Sequence, residues 1–101
     1  MRVQYQGEHN GKPTTFEIRI IGNNLSKSSS NYQIDLLVGD NKLPITSSMI
    51  HQSLSNCLKD IYLFRKANNI QFDASSEKVL PNVVPYDLVL YNYNKNMLFR
   101  A

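Results

Sequence analysis

The sequence predicts an α+β fold, an antiparallel sheet of about four to six strands with one long amphipathic helix packed across one face. Three observations carry that expectation. An Asn10-Gly11 pair separates two runs in which polar and apolar residues alternate. Residues 46–68 carry an apolar stripe at helical spacing. Shorter alternating segments lie on both sides of that stretch. The 101 residues make a single domain, 1–101, with a core large enough to fold alone.

The first 22 residues give the clearest strand signal. Asn-Gly marks a type I′ hairpin turn, because both central positions there need positive φ. With those two residues as the turn, paired positions sum to 21, so Tyr5 faces Phe16, Val3 faces Ile18 and Met1 faces Ile20. All the large apolar pairs then share one face, as a correct register requires. Gln6 meets Thr15 and Gln4 meets Glu17 on the other face. Arg2 falls opposite Arg19, a like-charge pair that the diagonal Glu17 partly offsets.

Residues 22–31 are polar and include Ser-Lys-Ser-Ser-Ser, which reads as a loop. A third strand is expected over 32–38, with Ile34, Leu36 and Val38 on one face. Residues 39–42 read as a turn, and 43–45 as a short edge strand, since Pro44 cannot sit in a central one.

The helix follows. At about 100° per residue, Ile50, Leu54, Cys57, Ile61 and Phe64 fall on one stripe that Leu58 widens. Gln52, Ser55, Asn56, Lys59 and Lys66 take the opposite face. Thr46, Ser47 and Ser48 offer hydroxyls to the first turn, and Asn68 and Asn69 tolerate the left-handed conformation that ends helices. One helix cannot bury its own stripe, so the hairpin's Val3, Tyr5, Phe16 and Ile18 are expected to lie beneath it.

Beyond the helix, Ile70-Gln71-Phe72 reads as a brief strand and 74–84 as an irregular loop. Alternation of Leu88 and Leu90 with Asp87, Val89 and Tyr91 reads as a last strand over 86–93. Asn94-Lys95-Asn96 then resembles a turn, with Met97-Leu98-Phe99 returning as a sixth strand.

Composition narrows the chemistry. Eleven Lys and Arg against eight Asp and Glu leave a net charge of +3, with no clustered basic stripe of the kind nucleic-acid modules show. A lone cysteine, Cys57, rules out an internal disulfide, and with two histidines no Cys/His zinc site is expected. The first residues read as an amphipathic strand and not as a signal peptide, and no apolar run reaches membrane-spanning length. A soluble, cytoplasmic chain is expected. The sequence holds no Gly-rich phosphate loop, nucleophile elbow or His-Glu-x-x-His pattern. His51 and Cys57 sit roughly 120° apart on the helix, too far to act as base and nucleophile. No catalytic residue, metal ligand or cofactor is expected, so the chain reads as a non-enzyme.

The most suggestive surface is aromatic. Tyr86, Tyr91, Tyr93 and Phe99 crowd the C-terminal region with Lys95 and Arg100. Tyrosine and arginine dominate binding hot spots, because they offer large contact area with a polar tip. These six are the candidate partner-binding residues, and one protein partner is expected. The competing reading has the rings covering a sheet face or filling a second small core. The alternative function is a small nucleic-acid-binding or nuclease-like domain using Lys95 and Arg100, and a third is an adaptor completed by homodimerisation.

The order of elements resembles that of small bacterial immunity proteins, which neutralise polymorphic or contact-dependent toxins. The stretches that carry it are Thr15-Phe16-Glu17-Ile18-Arg19-Ile20, Tyr32-Gln33-Ile34-Asp35 and the helix from Ser48-Met49-Ile50-His51-Gln52-Ser53-Leu54, followed by a short loop and closing strand. The resemblance covers most of the chain in element order and size and carries no diagnostic motif. It implies a cytoplasmic toxin-binding protein without catalytic residues. Immunity proteins that face basic nucleases tend to be acidic. At +3, this chain would need a local acidic patch, from Asp35, Asp40, Asp73 and Glu77, or a toxin that is not basic.

Overall fold

Strands β1 (Arg2–His9) and β2 (Lys12–Ser26) close on the Asn10-Gly11 turn, whose φ angles of 53° and 80° are both left-handed. Their register is the expected one along its whole length, from Arg2 opposite Arg19 to His9 opposite Lys12. The computed structural model describes residues 1–26, 29–39, 41–43 and 54–100. Within them, Glu17 joins both arginines of the like-charge pair, at 3.1 Å from Arg2 Nη2 and 2.9 Å from Arg19 Nη2. The hydrogen bond from Arg2, reinforced by Arg19, holds the Glu17 carboxyl below the usual carboxylate range despite its partial burial.

β3 (Ser29–Val38) pairs antiparallel with β2, and β4 (Asn41–Leu43) pairs antiparallel with β3. The polar segment expected to be a loop is therefore largely strand. β2 runs to Ser26 and β3 begins at Ser29, with a register shift between Asn23 and Ser26. The reason is that continuing a ladder satisfies backbone groups whatever the side chains are. Asn41 and Lys42 likewise belong to β4 and not to a turn. The expected edge residues Pro44 and Ile45 lie outside the described residues.

Helix α1 spans Leu54–Ala67, 14 residues. The expected span of 46–68 is thus not shown, since 46–53 fall outside the described residues. Within the described residues the stripe is as expected: Leu54, Cys57, Leu58 and Ile61 are buried, and Phe64 packs against them, while Ile50 lies outside the described residues. The helix ends where Asn68 donates to the Phe64 carbonyl through its backbone N–H at 3.0 Å and its side-chain amide at 2.9 Å. Asn69 then turns left-handed at φ 51° and its carbonyl accepts from Asn10 N–H at 3.1 Å. That bond ties the helix end to the hairpin tip.

β5 (Ile70–Phe72) pairs with the second half of β1, and β6 (Lys78–Val79) pairs with its first half. The sheet order is β4-β3-β2-β1-β5, with β6 sharing the β1 edge. A 3₁₀ turn, Ala74–Ser76, bridges the gap between the two short strands. There Gln6 N–H donates to Ser76 Oγ at 2.8 Å, and Asp73 N–H donates to the Gln6 carbonyl at 2.8 Å. The β1 edge is therefore satisfied even where no strand lies beside it.

Gly7 explains how β5 gets so close. A Cβ built at Gly7 would stand 1.9 Å from the Gln71 carbonyl oxygen, which is backbone and cannot swing away. Gly7→Ala must push β5 off β1. The expected cost is about 1–3 kcal/mol, read as a lower urea midpoint with faster amide exchange in β5 than in β2.

Two expected strands are helical instead. Residues 86–93 lie in helix α2 (Pro85–Asn94), and 95–99 form a 3₁₀ helix, Lys95–Phe99, where a turn and a sixth strand were expected. Among the described residues there are thus two α-helices, where one was expected. The core lies between one sheet face and these helices: Val3, Tyr5, Phe16, Ile18, Ile34 and Leu36 below, with Leu58, Ile61, Tyr91 and Leu98 above. Aromatic rings bind the layers, with Tyr5 stacked on Phe72 at 5.5 Å and edge-on to Phe99 at 5.5 Å.

Candidate functional site

Helix α2 begins for local reasons. Asn82 is left-handed at φ 70°, Val84 is extended, and Pro85 occupies the first helical position with its φ already set. Asp87 in the first turn complements the helix dipole. Near the C-terminal end Asn94 Nδ2 donates back to the Leu90 carbonyl at 2.8 Å.

Once the segment is helical, its apolar residues divide differently from the way a strand would divide them. Tyr91 points inward and is fully buried, with Leu88 and Leu90 half-buried. Tyr86, Val89 and Tyr93, spaced i, i+3 and i+7, point outward. They are 66%, 63% and 86% exposed, and Val84 just before the helix is 55% exposed. The three cover about 60° of the helix circumference. Two tyrosines and a valine on one narrow solvent-facing stripe are a contiguous apolar patch, the kind of surface that marks interaction sites.

The inward side carries a polar network. Tyr5 Oη donates to Glu77 Oε1 at 2.9 Å, and Lys95 Nζ donates to Glu77 Oε2 at 3.0 Å. Tyr5 and Tyr91 share a short hydroxyl–hydroxyl bond. Since the single Tyr5 proton goes to Glu77, Tyr91 is the donor in that pair. Burial disfavours ionisation of both phenols and raises their pKa values above the usual tyrosine range, and for Tyr5 the neighbouring Tyr91 and Glu77 push further the same way. Both are neutral at physiological pH. The network joins β1, the segment after the 3₁₀ turn, α2 and the C-terminal 3₁₀ helix at one point.

The six candidate residues therefore separate. Tyr86 and Tyr93 lie on the outward stripe. Tyr91 is a correction, because a side chain with no exposed surface cannot form a partner contact. Phe99 is half-buried against Tyr5, and Lys95 is engaged by Glu77. Arg100 is exposed, while its carbonyl accepts from Arg65 Nη2. Engagement of Lys95 removes one of the two cations on which the nucleic-acid alternative relied. The acidic patch does not assemble either. Asp35 lies on β3, whereas Asp73 and Glu77 border the far edge of β1, with β2 between, and Asp40 lies outside the described residues.

Val89 and the buried Arg65 were missing from that set. Each had a signal in spacing. Val89 falls between Tyr86 and Tyr93 at helical intervals, and Arg65 sits four residues after Ile61, at the margin of the apolar stripe.

Cys57 is buried in the core, where burial, with Asp60 nearby, pushes its thiol up to about 12. A thiol so placed behaves as a small hydrophobe. Among the described residues, no three His, Cys, Asp or Glu side chains converge in a way that would hold a metal ion. No helix among them is long and apolar enough to cross a membrane. Comparison with family models, curated proteins and solved structures gives no match.

Proposed function

We propose that the chain is a non-enzymatic protein-binding module of the cytosol, an immunity protein that docks on a cognate bacterial toxin through the outward face of α2. The observation that supports a docking role is the Tyr86–Val89–Tyr93 stripe, exposed on a helix whose opposite side is anchored in the core. Rigid aromatic residues on a fixed helix lose little entropy when a partner covers them. The toxin-neutralising part of the reading rests on the resemblance in element order.

Replacing both Tyr86 and Tyr93 by Ala is expected to weaken partner binding by about 2 kcal/mol or more, roughly 30-fold. Thermal stability should stay within about 0.5 kcal/mol of the parent, since both side chains are solvent-facing. Calorimetric titration, with each form, of a partner captured from source-cell lysate by the tagged chain measures the first effect, and a melting curve the second. Equal affinity in the double variant would remove α2 as the docking surface. The toxin reading has its own test: the captured protein must arrest growth when expressed alone and cease to do so when this chain is co-expressed. A partner that is harmless alone contradicts it.

A further inference from the structure

Arg65 is a buried cation whose charge is not answered by a carboxylate among the described residues. It is 9% exposed, on the core-facing side of α1. Nη1 donates to the Ile70 carbonyl at 3.2 Å, Nη2 donates to the Arg100 carbonyl, and Nε has no acceptor among the described residues. The guanidinium also lies 5.5 Å over the Tyr62 ring. Carbonyl dipoles and a ring face partly solvate a cation but do not neutralise it. Of five N–H donors, two are spent on acceptors among the described residues. A buried, unpaired charge is costly enough that proteins usually pair it.

The surroundings of Arg65 increase the positive potential. It borders a cleft of about 380 Å³ whose wall includes Lys66, Arg100, Gln71, Phe72 and Phe99. Among the described residues the lining holds three cations and no carboxylate. A concave wall of one sign concentrates the field that an incoming counter-ion meets. Guanidinium groups with free N–H donors match the geometry of carboxylate and phosphate oxygens. The two phenylalanine rings, both half-buried, offer apolar area beside the charge.

We propose that this cleft binds a small oxyanion, a phosphate or a carboxylate, carried on a flat apolar group that rests against Phe72 and Phe99. The outward residues of α2 do not line the cleft, so this site stands independently of the docking stripe.

The test is an NMR titration of the full chain with phenyl phosphate, benzoate and inorganic phosphate, each against sodium chloride at matched ionic strength. The expected result is saturable movement of the Arg65 Nε–H signal and of the Lys66, Gln71 and Phe99 amides with phenyl phosphate or benzoate, at least tenfold tighter than with inorganic phosphate. Whichever of the two aryl ligands binds tighter identifies the oxyanion. Lys66→Gln with Arg100→Gln, at two exposed positions, should weaken that binding at least tenfold while the rest of the spectrum keeps its dispersion. Chloride moving the same signals equally would overturn the site. So would unchanged affinity in the double variant. Equal affinity for inorganic phosphate would overturn the role of the rings.

Discussion

Ile61→Asp is expected to abolish cooperative unfolding at neutral pH. Ile61 is fully buried at the centre of the α1 stripe, facing the sheet. A carboxylate there is taken out of water among apolar side chains, while the Arg65 guanidinium one turn on is held by the Ile70 and Arg100 carbonyls, so a loss at the large end of single-residue effects, about 4–5 kcal/mol, is expected. That approaches the whole stability of a small domain, about 5–15 kcal/mol. Ile61→Val at the same site should cost only about 0.5–1.5 kcal/mol. The pH response has a definite sign. Burial raises the folded-state pKa of the new carboxyl above its unfolded value of about 3.9, so its penalty grows as pH rises from there and fades below it. Circular dichroism melts at neutral and at acidic pH measure this directly. A cooperative melt at pH 7 close to the parent would place α1 with a different face toward the sheet.

Tyr91→Ala should be the second most damaging change, and it separates a core residue from a surface one. Truncation removes a fully buried ring, for which about 3–5 kcal/mol is expected. It also strips the Tyr5 hydroxyl of its donor and loosens α2 from Glu77 and Lys95. Tyr91→Phe keeps the ring and loses only the hydroxyl, so it should cost about 1 kcal/mol. Chemical denaturation of the three forms gives the ordering. Near-parent stability of Tyr91→Ala would mean that Tyr91 faces solvent, as its place among the candidate partner-binding residues implied.

The hairpin was legible in full because a two-residue Asn-Gly loop sets the register, and period-2 burial then decides every side chain's face. The α1 stripe was legible for the same kind of reason, from spacing alone. The α2 segment was misread because Tyr and Val favour strands, and ten residues with apolar side chains on several faces fit either period. Pro85 followed by Asp87 was the helix-start signal within that stretch, and local propensity outweighed it. What joins distant parts was not legible at all. Tyr5 and Tyr91 are 86 positions apart and Tyr5 and Glu77 are 72, so no spacing rule connects them. The clearance at Gly7 likewise depends on where the Gln71 backbone passes. Of the six candidate docking residues, Tyr86 and Tyr93 lie on the outward stripe because helical geometry points them away from the layer that Tyr91 enters.

The central claim is that the outward face of α2 meets the partner. Amide hydrogen exchange of the full chain, free and saturated with the captured partner, tests it most directly. Exchange is expected to slow across α2 and the residues flanking it, from Val84 to Asn96. No change is expected along the polar sheet face that carries Arg2, Glu17 and Arg19. Protection of that sheet face with α2 unchanged would contradict docking through α2 and move the docking surface to the sheet.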